Sequence, residues 1–182
     1  MTTLLRSLLA SALVFASALP HTAHGSDLEL RVRAAFLYNL AKFVTWPEQN
    51  QDRQQIEVCV LQGTEFESVL RTEIEGKPVG TRVISVVDLS PQDDMSGCHI
   101  LHLEESQSLE QLGPILKTVK HQPVLTVGYG PNFLREGGIL RVKRDQGRLR
   151  FDIALASGRS AGLRFSSKLL RLADLVSSSG DS

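Results

Sequence analysis

Three different periods of hydrophobic and polar residues follow one another along this chain, and each marks a different kind of element. Val32, Phe36, Leu40 and Phe43 follow one helical face, with Leu37, Ala41 and Val44 on the adjacent one. A stripe that wide does not suit an isolated surface helix, so the segment is predicted to be a largely buried helix. Its ends are written in the sequence too. Ser26 and Glu29 have the spacing of a capping box, and Pro47 disfavours helical geometry at Trp46, which bounds the helix at residues 27–45.

Beyond it, the short apolar run 56–61 reads as a buried strand, and 82–87 as a second one after a short helix over 65–71 and a turn at Gly76-Lys77-Pro78. Residues 98–103 and 123–127 supply two more strands, with an amphipathic helix over 109–119 between them. Strands alternating with helices predict a parallel α/β layer structure. The period then shortens. Leu140 and Val142, the turn Asp145-Gln146-Gly147, and the strict alternation Leu149, Phe151, Ile153, Leu155 read as an antiparallel hairpin, with Arg148, Arg150 and Asp152 facing water. A last helix over 166–176 turns Leu169, Leu170, Leu172, Ala173 and Val176 to the core. The predicted fold class is a Rossmann-like three-layer α/β domain, its sheet mostly parallel with an antiparallel hairpin at one edge.

The start of the chain has a different character. Arg6 is followed by an apolar run from Leu8 to Leu19, and Ala23-His24-Gly25 offers small residues where a signal peptidase reads them. The apolar core of about 12 residues is short of the roughly 20 needed for a membrane anchor. Residues 1–25 are therefore expected to be a signal peptide cleaved near Gly25. Residues 26–182 would form a single soluble domain, long enough for a real hydrophobic core. The polar loop 48–55 and the tail from Ser177 look unpacked.

Charge narrows the function classes. The 20 basic and 20 acidic residues cancel, and losing Arg6 with the leader leaves a single excess acid. A nucleic-acid partner would call for a clustered basic excess, so none is expected. Cys59 and Cys98 are the two cysteines. In an oxidising compartment an even count is most simply read as one disulfide, which would tie the first strand to a later one. The rival reading is a metal site, with Cys59, Cys98 and His102 as ligands but no fourth donor at ligand spacing.

Three local patterns invite an enzyme reading. Gly158-Arg159-Ser160-Ala161-Gly162 matches a nucleophile elbow, yet no histidine follows Ser160 as that fold's chain order demands. A small-residue turn between strand and helix explains the pattern more simply, although a triad in another order stays formally open. Gly128-Tyr129-Gly130 offers two glycines of a dinucleotide fingerprint, but Phe133 stands where the third belongs and Pro131 intrudes. These glycines more plausibly shape a loop at the carboxyl edge of the sheet, where α/β folds usually place ligands. The pairs Asp93-Asp94 and Glu104-Glu105 read as solvated loop charges, and His99 and His102 as packed or surface histidines on opposite faces of one strand. No catalytic residues, cofactor or metal are assigned.

Six segments in order resemble the YfiR family of periplasmic signalling proteins. They are the stretch from Ala34 to Pro47, Val58-Cys59-Val60-Leu61, Gly97-Cys98-His99-Ile100-Leu101, Val124-Leu125-Thr126-Val127, Phe133 with Gly137-Gly138-Ile139, and Ser167-Lys168-Leu169-Leu170-Arg171-Leu172-Ala173. Some members carry a second cysteine pair in the hairpin region. This chain has none, so redox behaviour resting on that pair is not transferred. The resemblance implies a non-catalytic periplasmic regulator, often a homodimer. Such a regulator binds the periplasmic sensor domain of an inner-membrane diguanylate cyclase and represses it, lowering cyclic-di-GMP and biofilm formation, and an outer-membrane lipoprotein relieves the repression. For the contact surface, Ile139 with Arg141 and Lys143 on the polar face of the hairpin is the expectation, an exposed apolar residue rimmed by charge. Two other classes stay open: a periplasmic small-ligand-binding module feeding a sensor kinase or transporter, and a secreted hydrolase.

Overall fold

A computed structural model describes residues 24–47, 54–61, 65–105 and 108–176. The expected signal peptide, nearly all of the polar loop after Pro47 and the tail from Ser177 lie outside the described residues. No helix among the described residues is long and apolar enough to cross a membrane.

The first helix, α1, runs His24–Phe43. It starts earlier than the Ser26–Glu29 spacing indicated, so Ser26 lies inside it. Glu29 serves another purpose, pairing with Arg33 one turn on and with Arg144 of the later hairpin. The helix also stops earlier than predicted. Val44–Thr45 (β1) pairs antiparallel with Arg164–Phe165 (β9), and strand pairing there replaces the last helical turn. The apolar stripe is buried through Ala34, Leu37, Leu40 and Ala41, whereas Val32 near the start of α1 is exposed.

Gln55–Leu61 (β2), Arg82–Leu89 (β4), Ile100–His102 (β5) and Leu125–Gly128 (β6) are the parallel strands that the alternation predicted. Glu65–Ile74 (α2) is a turn longer than expected, because Ile74 is buried and continues the Phe66 and Leu70 face. Pro78–Val79 (β3) closes one edge of the sheet against β4. Leu109–Thr118 (α3) begins at Ser108, whose side chain and that of Gln111 form a capping box. The hairpin pairs Leu140–Asp145 (β7) with Arg148–Ala154 (β8). Gln146 and Gly147 both have positive φ there, as a tight two-residue turn requires.

One sheet, in the order β10-β8-β7-β6-β5-β2-β4-β3, carries these strands, β10 being Asp174–Val176. Side chains alternate across it. Ile56, Val58 and Val60 of β2 face one way and pack with α1 and α2, while Cys59 and Leu61 face the other way and pack with Leu112, Ile115 and Leu116 of α3. The result is the three-layer α/β arrangement expected, mostly parallel with an antiparallel hairpin.

The C-terminal prediction needs correction. Leu155–Ser160 forms a short helix (α4), and the last helix is only Ser167–Leu170 (α5), capped by Ser166. The chain then leaves the helix and lays β10 parallel to β8, so sheet hydrogen bonds replace helical ones. Leu169 is buried, but Leu172 and Val176 are exposed rather than core. Asp152, expected to face water, is buried in β8 between β7 and β10.

Candidate functional site

The carboxyl ends of β5 and β6 carry a buried polar cluster that no local motif announces. His102 closes β5, and its Nε2 lies 3.2 Å from the hydroxyl of Tyr129, the residue after β6. The ring of His102 packs on Phe66 at 4.6 Å and edge-on to Tyr129 at 5.6 Å. Arg33 reaches down from α1, its guanidinium 4.8 Å from the centre of the Tyr129 ring and 3.9 Å from Glu104. Glu29 holds Arg33 on its other side. The cluster thus fastens α1 to the edge of the sheet where the parallel strands end.

Its electrostatics move His102 and Tyr129 away from proton chemistry near neutral pH. Burial, reinforced by the charge of Arg33, lowers His102 to about 3, so the imidazole stays neutral. Burial likewise lifts Tyr129 to about 12 and raises Glu104. Glu29 moves the other way, because its hydrogen bond from Arg144 stabilises the carboxylate. A general acid or base would need a group poised near the working pH, and neither His102 nor Tyr129 is.

Beside this cluster lies a cavity of about 390 Å³, walled by Arg33, Tyr129, Arg141, Lys143 and Arg144 with Glu29 on the rim. Its position outside the carboxyl ends of parallel strands is where α/β sheets bind ligands. The walls are cationic, yet their charges are largely answered from within. Arg141 and Lys143 both engage the buried carboxylate of Asp152, and Lys143 Nζ also lies 2.9 Å from Asp174. Hydrogen bonds to those two carboxylates raise Lys143.

Of the residues expected at a contact surface, Arg141 and Lys143 stand on this cavity wall, partly exposed. Ile139 does not join them. It is 5% exposed, its N–H donates to Thr126 Oγ1 at 2.9 Å, and its side chain meets α4 at Gly158. The face of the hairpin that is polar at Arg141 and Lys143 is covered by α4 at Ile139, which makes that residue core.

Cys59 and Cys98 are joined in a disulfide, with Cα atoms 5.9 Å apart, on the α3 side of the sheet. Both sulfurs are occupied by the bridge, so the rival Cys-Cys-His102 metal site falls away. His99 is packed, as expected for a strand histidine: its Nδ1 accepts from the N–H of Glu57, and its carbonyl accepts from Trp46 Nε1 at 3.0 Å.

The two glycine-rich patterns resolve into packing. An added Cβ on Gly128 or Gly138 would sit 2.2 Å from the Phe133 ring, so these glycines sandwich an aromatic ring instead of admitting a pyrophosphate. Ser160 does find a histidine, His121, with Nδ1 and Oγ 2.8 Å apart. Chain order had hidden this pair, because His121 precedes Ser160. The backbone N–H of Ala161, Gly162 and Leu163 already donate to carbonyls of Ser157, Arg159 and Gly158, so none is free to serve as an oxyanion donor beside Ser160.

Arg33, Glu104 and Tyr129 escaped sequence reasoning as a set because they come from three separate segments. The available signal was the Glu29–Arg33 spacing of a helical ion pair in the first half of α1.

No curated protein matches the chain. Among solved structures it resembles in fold the crystal structure of a conserved domain protein from Vibrio cholerae O1 biovar eltor str. N16961. The TM-score is 0.55 at 7% sequence identity, covering 81% of this chain and 60% of that one. The chain therefore spans less than two thirds of that neighbour, and the likeness concerns the fold alone. The family described as YfiR/HmsC-like matches residues 30–174, from within α1 to the first residue of β10. With nearly all of the sheet, the bridge and Arg33, His102, Glu104 and Tyr129 inside that span, the chain belongs to the YfiR/HmsC-like family.

Proposed function

We propose that this protein is a non-catalytic periplasmic regulator that binds the periplasmic sensor domain of an inner-membrane diguanylate cyclase and holds the enzyme inactive. Cyclic-di-GMP and biofilm formation fall when it binds. Family membership over residues 30–174 is the observation that carries this reading. A disulfide in the sheet and a buried His102 held neutral support it. Repression works by differential affinity: the regulator binds the inactive state of the cyclase better than the active one and shifts the population accordingly. An outer-membrane lipoprotein that competes for the regulator relieves the repression.

Deleting the gene should raise cellular cyclic-di-GMP, and restoring the wild-type gene should lower it again; an unchanged level in the deletion strain sinks the reading. The hairpin wall around Arg141 and Lys143 is the contact surface in this proposal, now without Ile139. Lys143→Ala should weaken binding to the isolated sensor domain; it also takes one of two cations from the buried Asp152, so the melting temperature should fall by a few degrees, with Arg141 still holding that carboxylate. Unchanged affinity would place the contact elsewhere.

The cavity of about 390 Å³ favours a second reading, a small-ligand-binding module feeding a sensor kinase or transporter. A ligand library screened by thermal shift separates the two, since a ligand present at 100 times its Kd stabilises the fold by about 2.7 kcal/mol. A secreted hydrolase is the weakest of the three, because the amides flanking Ser160 are already engaged.

A further inference from the structure

A second cavity, of about 300 Å³, opens between the end of α3 and the short helix α4. His121 precedes β6 and Ile139 precedes β7, so this cavity lies at the amino ends of those strands, away from the Arg33–His102 cluster. Leu116, Val119 and Ile139 give it an apolar floor. His121 has a φ of 66°, uncommon for a residue with a side chain, and from that turn its Nδ1 lies 2.8 Å from Ser160 Oγ on α4. Whichever partner donates in that bond, one proton is left over: the Ser160 hydroxyl if Nδ1 carries the hydrogen, or Nε2–H if it does not. Thr126 is 2% exposed, and its Oγ1 accepts from the N–H of Ile139 at 2.9 Å. Its own hydroxyl proton meets no acceptor among the described residues, and a buried donor on a cavity wall calls for one. Lys120 also lines the cavity, its ammonium unpaired among the described residues, and none of the described carboxylates reaches the wall. The cavity beside Arg33 differs, because Glu29 and Asp152 hold its cations.

We infer that this cavity between α3 and α4 binds a small monocarboxylate with a short apolar body. Lys120 supplies the one permanent positive charge, which matches a singly charged head rather than a phosphate dianion. Thr126 and the His121–Ser160 pair supply hydrogen-bond donors for the two carboxylate oxygens, and the body rests on the apolar floor. A volume near 300 Å³ is at the small end of ligand pockets, which limits that body to a few carbons. The His121–Ser160 pair thus holds an acid and does not cleave an ester, since the amides flanking Ser160 are already engaged.

Hexanoate titrated into the protein, followed through the backbone amide resonances, tests this. The shifts should saturate and centre on Lys120, His121, Thr126 and Ser157, while hexanol and inorganic phosphate at the same concentrations leave those resonances in place. Lys120→Gln should raise the hexanoate Kd at least about tenfold, the loss of one hydrogen bond to a charged group. Lys117→Gln removes an exposed lysine of the same helix outside the cavity and should leave the Kd unchanged. Ala156→Phe fills the cavity without altering its charge and should abolish binding. The absence of a saturable shift overturns the inference. So do equal losses in the two lysine variants, binding retained in Ala156→Phe, or hexanol or phosphate bound as tightly as hexanoate. Shifts centred on Tyr129 and Arg141 overturn it too, while supporting a ligand in the cavity beside Arg33. Should Ala156→Phe fail to fold, the two lysine variants decide.

Discussion

His102 shows how one residue can change meaning between a strand pattern and a fold. Placed in the core with Arg33 facing it and Tyr129 against Nε2, it refuses a proton until about pH 3, while in the unfolded chain it protonates near 6.5. Between those values the unfolded state holds more protons, so stability falls as pH drops below about 6.5, by at most about 1.4 kcal/mol per pH unit. Glu104 acts with the opposite sign. Its raised value means the fold retains a proton that the unfolded chain releases, so its share of stability grows as pH falls. His102→Gln keeps a hydrogen-bonding partner for Tyr129 and removes the titration. Urea unfolding between pH 7 and pH 5 should give a flatter stability profile for the variant than for the wild type, and identical slopes would contradict the burial of a neutral imidazole.

At the scale of elements, the loop after β6 is held by an aromatic ring between two glycines. Gly138→Ala places a Cβ 2.2 Å from Phe133, against a rigid ring rather than the free end of a flexible chain. The expected cost is about 1–3 kcal/mol of overpacking, read as a lower denaturant midpoint. Phe133→Leu in the same chain should recover part of that loss, so the double variant is more stable than the sum of the two single effects. Strict additivity would show that the ring is not the obstacle. The same loop carries Tyr129 and Gly130 to the cavity, so this packing sets the geometry of the candidate site. The hairpin elements were legible in the sequence, because period-two alternation and the Gln146-Gly147 turn are local signals. The end of the chain was not. Ser167 to Val176 contains apolar residues at helical spacing, but the open edge of β8 competes for the same backbone groups and takes β10.

Across the whole molecule, the bridge between Cys59 and Cys98 links β2 to the entry of β5 and closes a loop with sequence separation 39. For a loop of that size the chain-entropy account gives about 4 kcal/mol, exerted mainly on the unfolded state. Cys59→Ser with Cys98→Ser, or reduction of the native protein, should lower the denaturant midpoint by a corresponding amount without altering the sheet seen by circular dichroism. An unshifted midpoint would mean that the bridge contributes nothing to stability. A periplasmic protein would meet the oxidising conditions that keep such a bridge closed.

The sequence by itself determined the order of the main strands and helices as far as the hairpin, the three layers, and the cysteine pair as the simplest reading of two thiols, since each rests on periodicity or composition. It also carried the six ordered segments of the family resemblance. Only the tertiary structure decided which polar residues meet: Arg33, His102, Glu104 and Tyr129 lie on separate elements, and no spacing along the chain encodes their approach. Tertiary structure also decided that Ile139 is core and Asp152 buried, because α4 packs on Ile139 and β10 lies alongside β8 in the sheet. A side-chain alternation tells which residues share a face of a strand. Whether that face meets water depends on what the rest of the chain lays against it.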